Sequence, residues 1–120
     1  MEERRRFVRL DARIGVRYAV LPEGTLQPAV SKELGGGGVC FLADRVIPPG
    51  TRLQLALALP TRESPVNAIA EVVWSESSDV IDKQEHRHLA EIGVRFLELS
   101  PQDSQTLLAY IASNLKSSSA

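Results

Sequence analysis

Apolar residues recur at every second position through several short stretches of this 120-residue chain. In RIGVRYAV (13–20), Ile14, Val16, Tyr18 and Val20 fall on one face and Arg13, Gly15, Arg17 and Ala19 on the other. That alternation is the mark of a strand with one buried face. The stretch from Arg52 to Leu59 repeats it, with Leu53, Leu55, Leu57 and Leu59 directed inward. VCFLAD (39–44), AIAEVVWS (68–75) and LAEIGVRFLEL (89–99) read as further strands, apolar and rich in β-branched or aromatic residues. Another strand is expected at Gln27 to Ser31, between the turn LPEGTLQ (21–27) and a run of four glycines. IPPGT (47–51) and TRESPVN (61–67) are breaks, and ESSDVIDKQEHRH (76–88) reads as a polar loop.

The period changes after residue 99. SPQD places Ser100 as a helix N-cap, Pro101 at the first helical position and Asp103 near the positive end of the helix dipole. Leu107, Leu108, Ile111 and Leu115 then recur at helical spacing, with Tyr110 beside them, and the serine-rich end is expected to fray. Five to seven short strands followed by one helix, with no helices between strands, exclude a parallel α/β sheet. The expected fold is an all-β antiparallel barrel of about six short strands with one C-terminal α-helix. Its expected parts are a basic arm at 1–12, the barrel and helix at 13–115, and a disordered tail at 116–120.

Composition narrows the function. One core is all that a chain of this length can comfortably bury. It carries a single cysteine, no secretory leader pattern and no long apolar run, so a cytoplasmic protein without membrane insertion is expected. His86, His88 and Cys40 are the only soft ligands, too few and too scattered for a zinc site, and no metal or other cofactor is expected. No spacing commits a serine, histidine and aspartate to one another, and Cys40 sits in an apolar strand, so no catalytic residue is assigned and no enzyme activity is expected.

The charge is nearly balanced, 14 basic against 15 acidic residues, yet six arginines lie between residues 4 and 17. Eleven of the basic residues are arginine, which suits planar, bidentate contact with phosphate. A basic run at a terminus is usually an exposed tail. Here Phe7, Val8 and Leu10 interleave with the arginines and would tie the arm down, leaving Arg5 and Arg9, four apart, able to reach one compact anion. The run Gly35 to Gly38 is followed by a strand and by no Lys-Ser or Lys-Thr, so it is not a phosphate loop of the P-loop kind. It serves either as a bulge or tight turn, or as a place where a ligand comes close to bare backbone.

RRFVR, ending on Arg5 and Arg9, resembles the RxxxR motif of PilZ domains, bacterial receptors for cyclic di-GMP. The order that follows is similar too: RIGVRY, ELGGGGVCF where the family has DxSxxG, PPGTRLQLALALP, AEVVWS, EIGVRF and a closing helix. The second motif departs from the family: Glu33 stands at the Asp position and Gly35 at the Ser position, and only Gly38 keeps the family residue. The resemblance implies that an arm carrying Arg4, Arg5 and Arg9 wraps over the barrel, holding phosphates and stacking on guanine. It also implies that Glu33, Gly35 and Gly38 complete the site, and that Trp74, otherwise a core or barrel-end packing residue, offers guanine an aromatic surface. The expected protein is a cyclic di-GMP receptor that relays binding to a protein partner. The alternative is a degenerate PilZ-like adaptor that no longer binds nucleotide and acts through protein contacts. DNA or RNA binding is not expected, since aromatic residues make up only 5% of the chain.

Overall fold

The computed structural model describes residues 9–81 and 86–118, and within them the side chains of residues 9–77 and 89–115. The described chain forms β1 (Arg9–Asp11), β2 (Gly15–Val20), β3 (Gln27–Gly35), β4 (Gly38–Ala43), β5 (Arg52–Ala58), β6 (Val66–Ile81), β7 (His86–Leu99) and α1 (Pro101–Ser118). The sheet runs β1-β3-β2-β5-β6-β7-β4, and pairing of β3 with β4 closes it. Strands β2 to β7 thus form a six-stranded antiparallel barrel. β1 lies along the same edge of β3 as β2, further along it, with Arg9 opposite Gly35 and Asp11 opposite Glu33.

The alternation read from the sequence is the alternation of the barrel wall. Val16, Tyr18, Leu53, Leu55, Leu57, Val72, Ile92 and Phe41 fill the interior, each large side chain contributing about 1.5–3 kcal/mol by leaving water. Tyr18 and Phe41 pack ring to ring with centroids 5.2 Å apart. Burial raises the Tyr18 hydroxyl pKa, with the nearby Asp44 carboxylate adding to the effect.

Helix α1 packs against β1, β3 and β6. Ser100 caps it, its hydroxyl accepting the Asp103 N–H at 3.0 Å. Leu107 and Ile111, one turn apart, are buried, whereas Leu108 is exposed because it lies about 100° around the helix from Leu107. Asp103 accepts hydrogen bonds from Arg62 Nη2 at 2.5 Å and from the Asn67 N–H at 3.1 Å, which ties the helix start to the β5–β6 connection.

Several expectations need correction. The region read as a polar loop at 76–88 is mostly strand: β6 and β7 remain paired out to Ile81 opposite His86. A hydrophobic pattern reports burial, and beyond the barrel the two strands satisfy each other's backbone without needing a core face. β3 continues past Ser31 to Gly35, where it pairs with β1 and β4, and a bulge at Lys32 interrupts the alternation that would have marked it. Residues 9–11 of the expected arm form β1, its backbone paired to β3, and residues 1–8 lie outside the described residues. Val20 is exposed at the end of β2, where the strand gives way to a turn, and Ala19 is buried in its place. The helix continues to Ser118, past the expected start of the tail.

Candidate functional site

Two paired strands, β4 and β7, carry small residues on their outward faces. Along β4, Val39 and Phe41 point into the core, which turns Gly38 and Cys40 outward. On β7, Ile92 and Val94 point inward, leaving Gly93 and Arg95 outside. Cys40 faces Gly93 across the β4–β7 ladder and Glu33 across the β3–β4 ladder. Small residues therefore floor a groove of about 650 Å³ whose lining includes Arg9, Glu33, Gly35 to Gly38, Trp74 and Arg95.

The four glycines form the turn from β3 into β4. Gly36 and Gly37 are its bends, and the Gly37 carbonyl accepts the Phe96 N–H at 2.8 Å, hooking the turn onto β7. At Gly38 the backbone is needed bare, because a Cβ there would stand 2.1 Å from the Val94 carbonyl oxygen. Among the described residues the one positive φ belongs to Gly50, at 92° in the Pro-Pro-Gly turn.

Trp74 reaches the groove through a bulge. Ala68, Ala70 and Val72 are buried at every second position, a pattern that would carry Trp74 inward. Between Val72 and Trp74 the pairing with β7 shifts by one residue, so Val73 is extra and Trp74 turns outward onto Gly93. The indole lies so close that a Cβ at Gly93 would come within 2.3 Å of Cε2 and Nε1. Trp74 is 37% exposed.

At the β1 side of the groove, Arg9 Nη1 donates to Glu33 Oε1 at 3.0 Å. Lys32 and Glu91 pair nearby. Burial, reinforced by the Glu91 and Glu33 carboxylates, pushes the Cys40 thiol up to about 11, which keeps it protonated at neutral pH. Ser31 secures the approach to β1: its hydroxyl donates to the Ala12 carbonyl and accepts the Ile14 N–H at 2.9 Å, fixing the kink between β1 and β2.

Of the residues expected at the site, Arg9, Glu33, Gly35, Gly38 and Trp74 line this one groove, while Arg4 and Arg5 lie outside the described residues. Arg95, Gly93 and Cys40 belong to the groove and were not singled out for it. The signal for Arg95 and Gly93 was in EIGVRF, where alternation about the buried Val94 turns both outward. Among the described residues no cluster of three or more His, Cys, Asp or Glu could hold a metal, and no helix is long and apolar enough to cross a membrane.

The described residues thus form a closed six-stranded barrel with a helix packed against it and a glycine-floored groove on its outer wall. The chain belongs to the PilZ domain family, whose model matches residues 3–113. No curated protein matches the sequence. Among solved structures it is similar to the PilZ domain with c-di-GMP of YcgR from Escherichia coli, at TM-score 0.72 and 21% identity, covering 98% of this chain and 95% of that one. It is also similar to the Bacillus subtilis inhibitor of motility, MotI/DgrA, at TM-score 0.70 and 24% identity, covering 96% of this chain and 53% of that one. A third neighbour is MrkH, a c-di-GMP-dependent transcription regulatory factor, at TM-score 0.71 and 14% identity, covering 93% and 51%. With a transcription factor on the same fold, the expectation that nucleic acid is excluded draws no support from the architecture.

Proposed function

We propose that this chain is a receptor for cyclic di-GMP, with no chemistry of its own, that relays binding to a protein partner. The observation that carries the reading is the convergence of Arg9, Glu33, the tetraglycine turn and Trp74 on one groove, although they come from three separate strands and a turn. Each fits a part of such a ligand. A guanidinium pairs with phosphate, bare glycine backbone lets a sugar-phosphate ring approach, and an indole face stacks on guanine. The family membership and the c-di-GMP in the YcgR structure support the choice of ligand. Arg4 and Arg5 belong to the proposed site as the remainder of the arginine arm, acting with Arg9.

A second reading, a PilZ adaptor that binds no nucleotide, is favoured by two features of the same groove. Gly35 has no hydroxyl to donate to phosphate, and Arg9 is already engaged by Glu33. Titration calorimetry with cyclic di-GMP separates the two. Saturable heat that is lost in Arg9→Ala supports the receptor, and absence of heat at millimolar ligand supports the adaptor.

A further inference from the structure

The tetraglycine turn is bracketed by arginines. Strand register puts Arg9 opposite Gly35, where the turn begins, and Arg95 opposite Gly38, where it ends. Both line the groove. Arg9 is engaged by Glu33, another lining residue, so these two opposite charges offset each other within the groove. Among the described lining residues Arg95 is then the charged one whose partner, Glu71, lies outside the groove.

Arg95 is also the more exposed of the two, 62% against 40% for Arg9. Its guanidinium is nevertheless oriented. Glu71 Oε1 accepts from Arg95 Nε at 3.1 Å and from Nη2 at 2.6 Å, so the carboxylate grips one edge of the fork. Glu71 is on β6, directly opposite Arg95 on β7, and does not line the groove. An arginine gripped along its Nε edge keeps the N–H groups of Nη1 for a second acceptor, in a geometry that suits the oxygens of a phosphate.

We infer that Arg95 is a second phosphate anchor of the groove, facing Arg9 across Gly35 to Gly38, and that Glu71 is the positioning residue that holds its guanidinium ready. The inference rests on the cyclic di-GMP reading above. That ligand carries two phosphates, each with one negative charge. One cation on each side of a turn without side chains would let both phosphates be met while the ring lies against bare backbone.

The test is calorimetric titration of cyclic di-GMP into the full chain at several salt concentrations. The proteins compared are the wild type, Arg95→Ala, Arg95→Gln, Arg95→Lys and Glu71→Gln, with thermal melting to establish that each is folded. Arg95→Ala and Arg95→Gln should each weaken binding tenfold or more, the loss expected for about one charge-assisted contact. Both should also make affinity less dependent on salt, because one screened charge contact is gone. A merely structural residue would not change that dependence. Arg95→Lys should keep the salt dependence and lose part of the affinity, since it retains the charge without the fork. Glu71→Gln should weaken binding less than Arg95→Ala, with salt dependence unchanged. If the wild type binds and the Ala and Gln variants bind equally well with the same salt dependence, the assignment of Arg95 is overturned while the receptor reading stands. Wild-type affinity in Glu71→Gln removes the positioning role. If the wild type does not bind, the receptor reading falls and this inference falls with it.

Discussion

Two arginine–carboxylate pairs of nearly equal length occupy opposite kinds of surroundings in this molecule. At the start of α1, Arg62 and Asp103 meet at 2.5 Å with side chains 29% and 15% exposed. Arg62 there also donates to the carbonyls of Ser64 and Pro65 and to the Thr106 hydroxyl, and Asp103 also accepts the Asn67 N–H. At the groove, Arg95 and Glu71 meet at 2.6 Å, but the arginine stands mostly in water with Glu71 along one edge. The first pair spends four of the five arginine N–H groups and both carboxylate oxygens in holding a helix to a barrel. The second has capacity left, which is what recognition of an outside anion requires. One half of the molecule is thus closed upon itself, and the other presents glycine, a bulged tryptophan and unspent guanidinium to solvent.

The comparison breaks most visibly if the closed half can be damaged without stability being lost. Leu107, on the inner face of α1, is fully buried, so Leu107→Ala should cost about 2–5 kcal/mol in denaturant unfolding. Below its melting range the variant should bind cyclic di-GMP within about twofold of the wild type.

A smaller effect is expected at the helix start. Asp103→Asn should cost about 1.5–3 kcal/mol by weakening charge-assisted bonds to Arg62 and to the Asn67 N–H. The pH dependence follows in sign. The Arg62 hydrogen bond, and then the Asn67 N–H, hold the Asp103 carboxyl below the usual aspartate range. A lowered folded-state pKa contributes stability that is complete above the unfolded value of about 3.9 and is lost as pH falls through the folded value. The gap between wild type and Asp103→Asn should therefore be widest near neutrality and close in acid, as measured by urea unfolding at a series of pH values.

The open half should answer differently. Gly93→Ala would drive a methyl into the Trp74 indole, and a side chain at the surface can move aside where a backbone cannot. We expect a shifted tryptophan emission spectrum and binding weakened by as much as one stacked base contributes, about 1–3 kcal/mol, with the melting temperature little changed. An equal loss of stability would place Gly93 with the closed half.

The smallest expected effect is a gain. Gly35→Ser adds a hydroxyl beside Arg9 at a position without positive φ, and one added neutral hydrogen bond should tighten binding by about 0.5–1.5 kcal/mol. Calorimetry that finds weaker binding would mean the groove receives its ligand away from Gly35.

What could be read in the sequence divides along the same line. The closed half was legible because burial writes itself as period two: Leu53, Leu55 and Leu57 were expected inward and are inward, and Ser100 caps the helix it was expected to cap. The family order of motifs was legible as well. Bulges were not. The extra residue at Lys32 concealed the second half of β3, and the one at Val73 reversed Trp74 from the inward position its neighbours' alternation indicated. A bulge is decided by how two strands fit each other, and that information is spread over residues far apart in the chain. The role of Arg95 was hidden for the same reason: only the register of β4 against β7 sets it beside Gly38. The paired extension of β6 and β7 out to Ile81 and His86 is held by backbone pairing between the two strands, which a reading of apolar alternation does not register.

Trp74 is the only tryptophan in the chain and it lies in the groove, so its fluorescence reports on that face and no other. Titration of the wild type with cyclic di-GMP should change the emission along a saturable curve, and Arg9→Ala should shift that curve to higher ligand concentration by tenfold or more. Emission that stays constant to millimolar ligand, or a curve that Arg9→Ala leaves in place, would contradict the assignment of this groove as the ligand site.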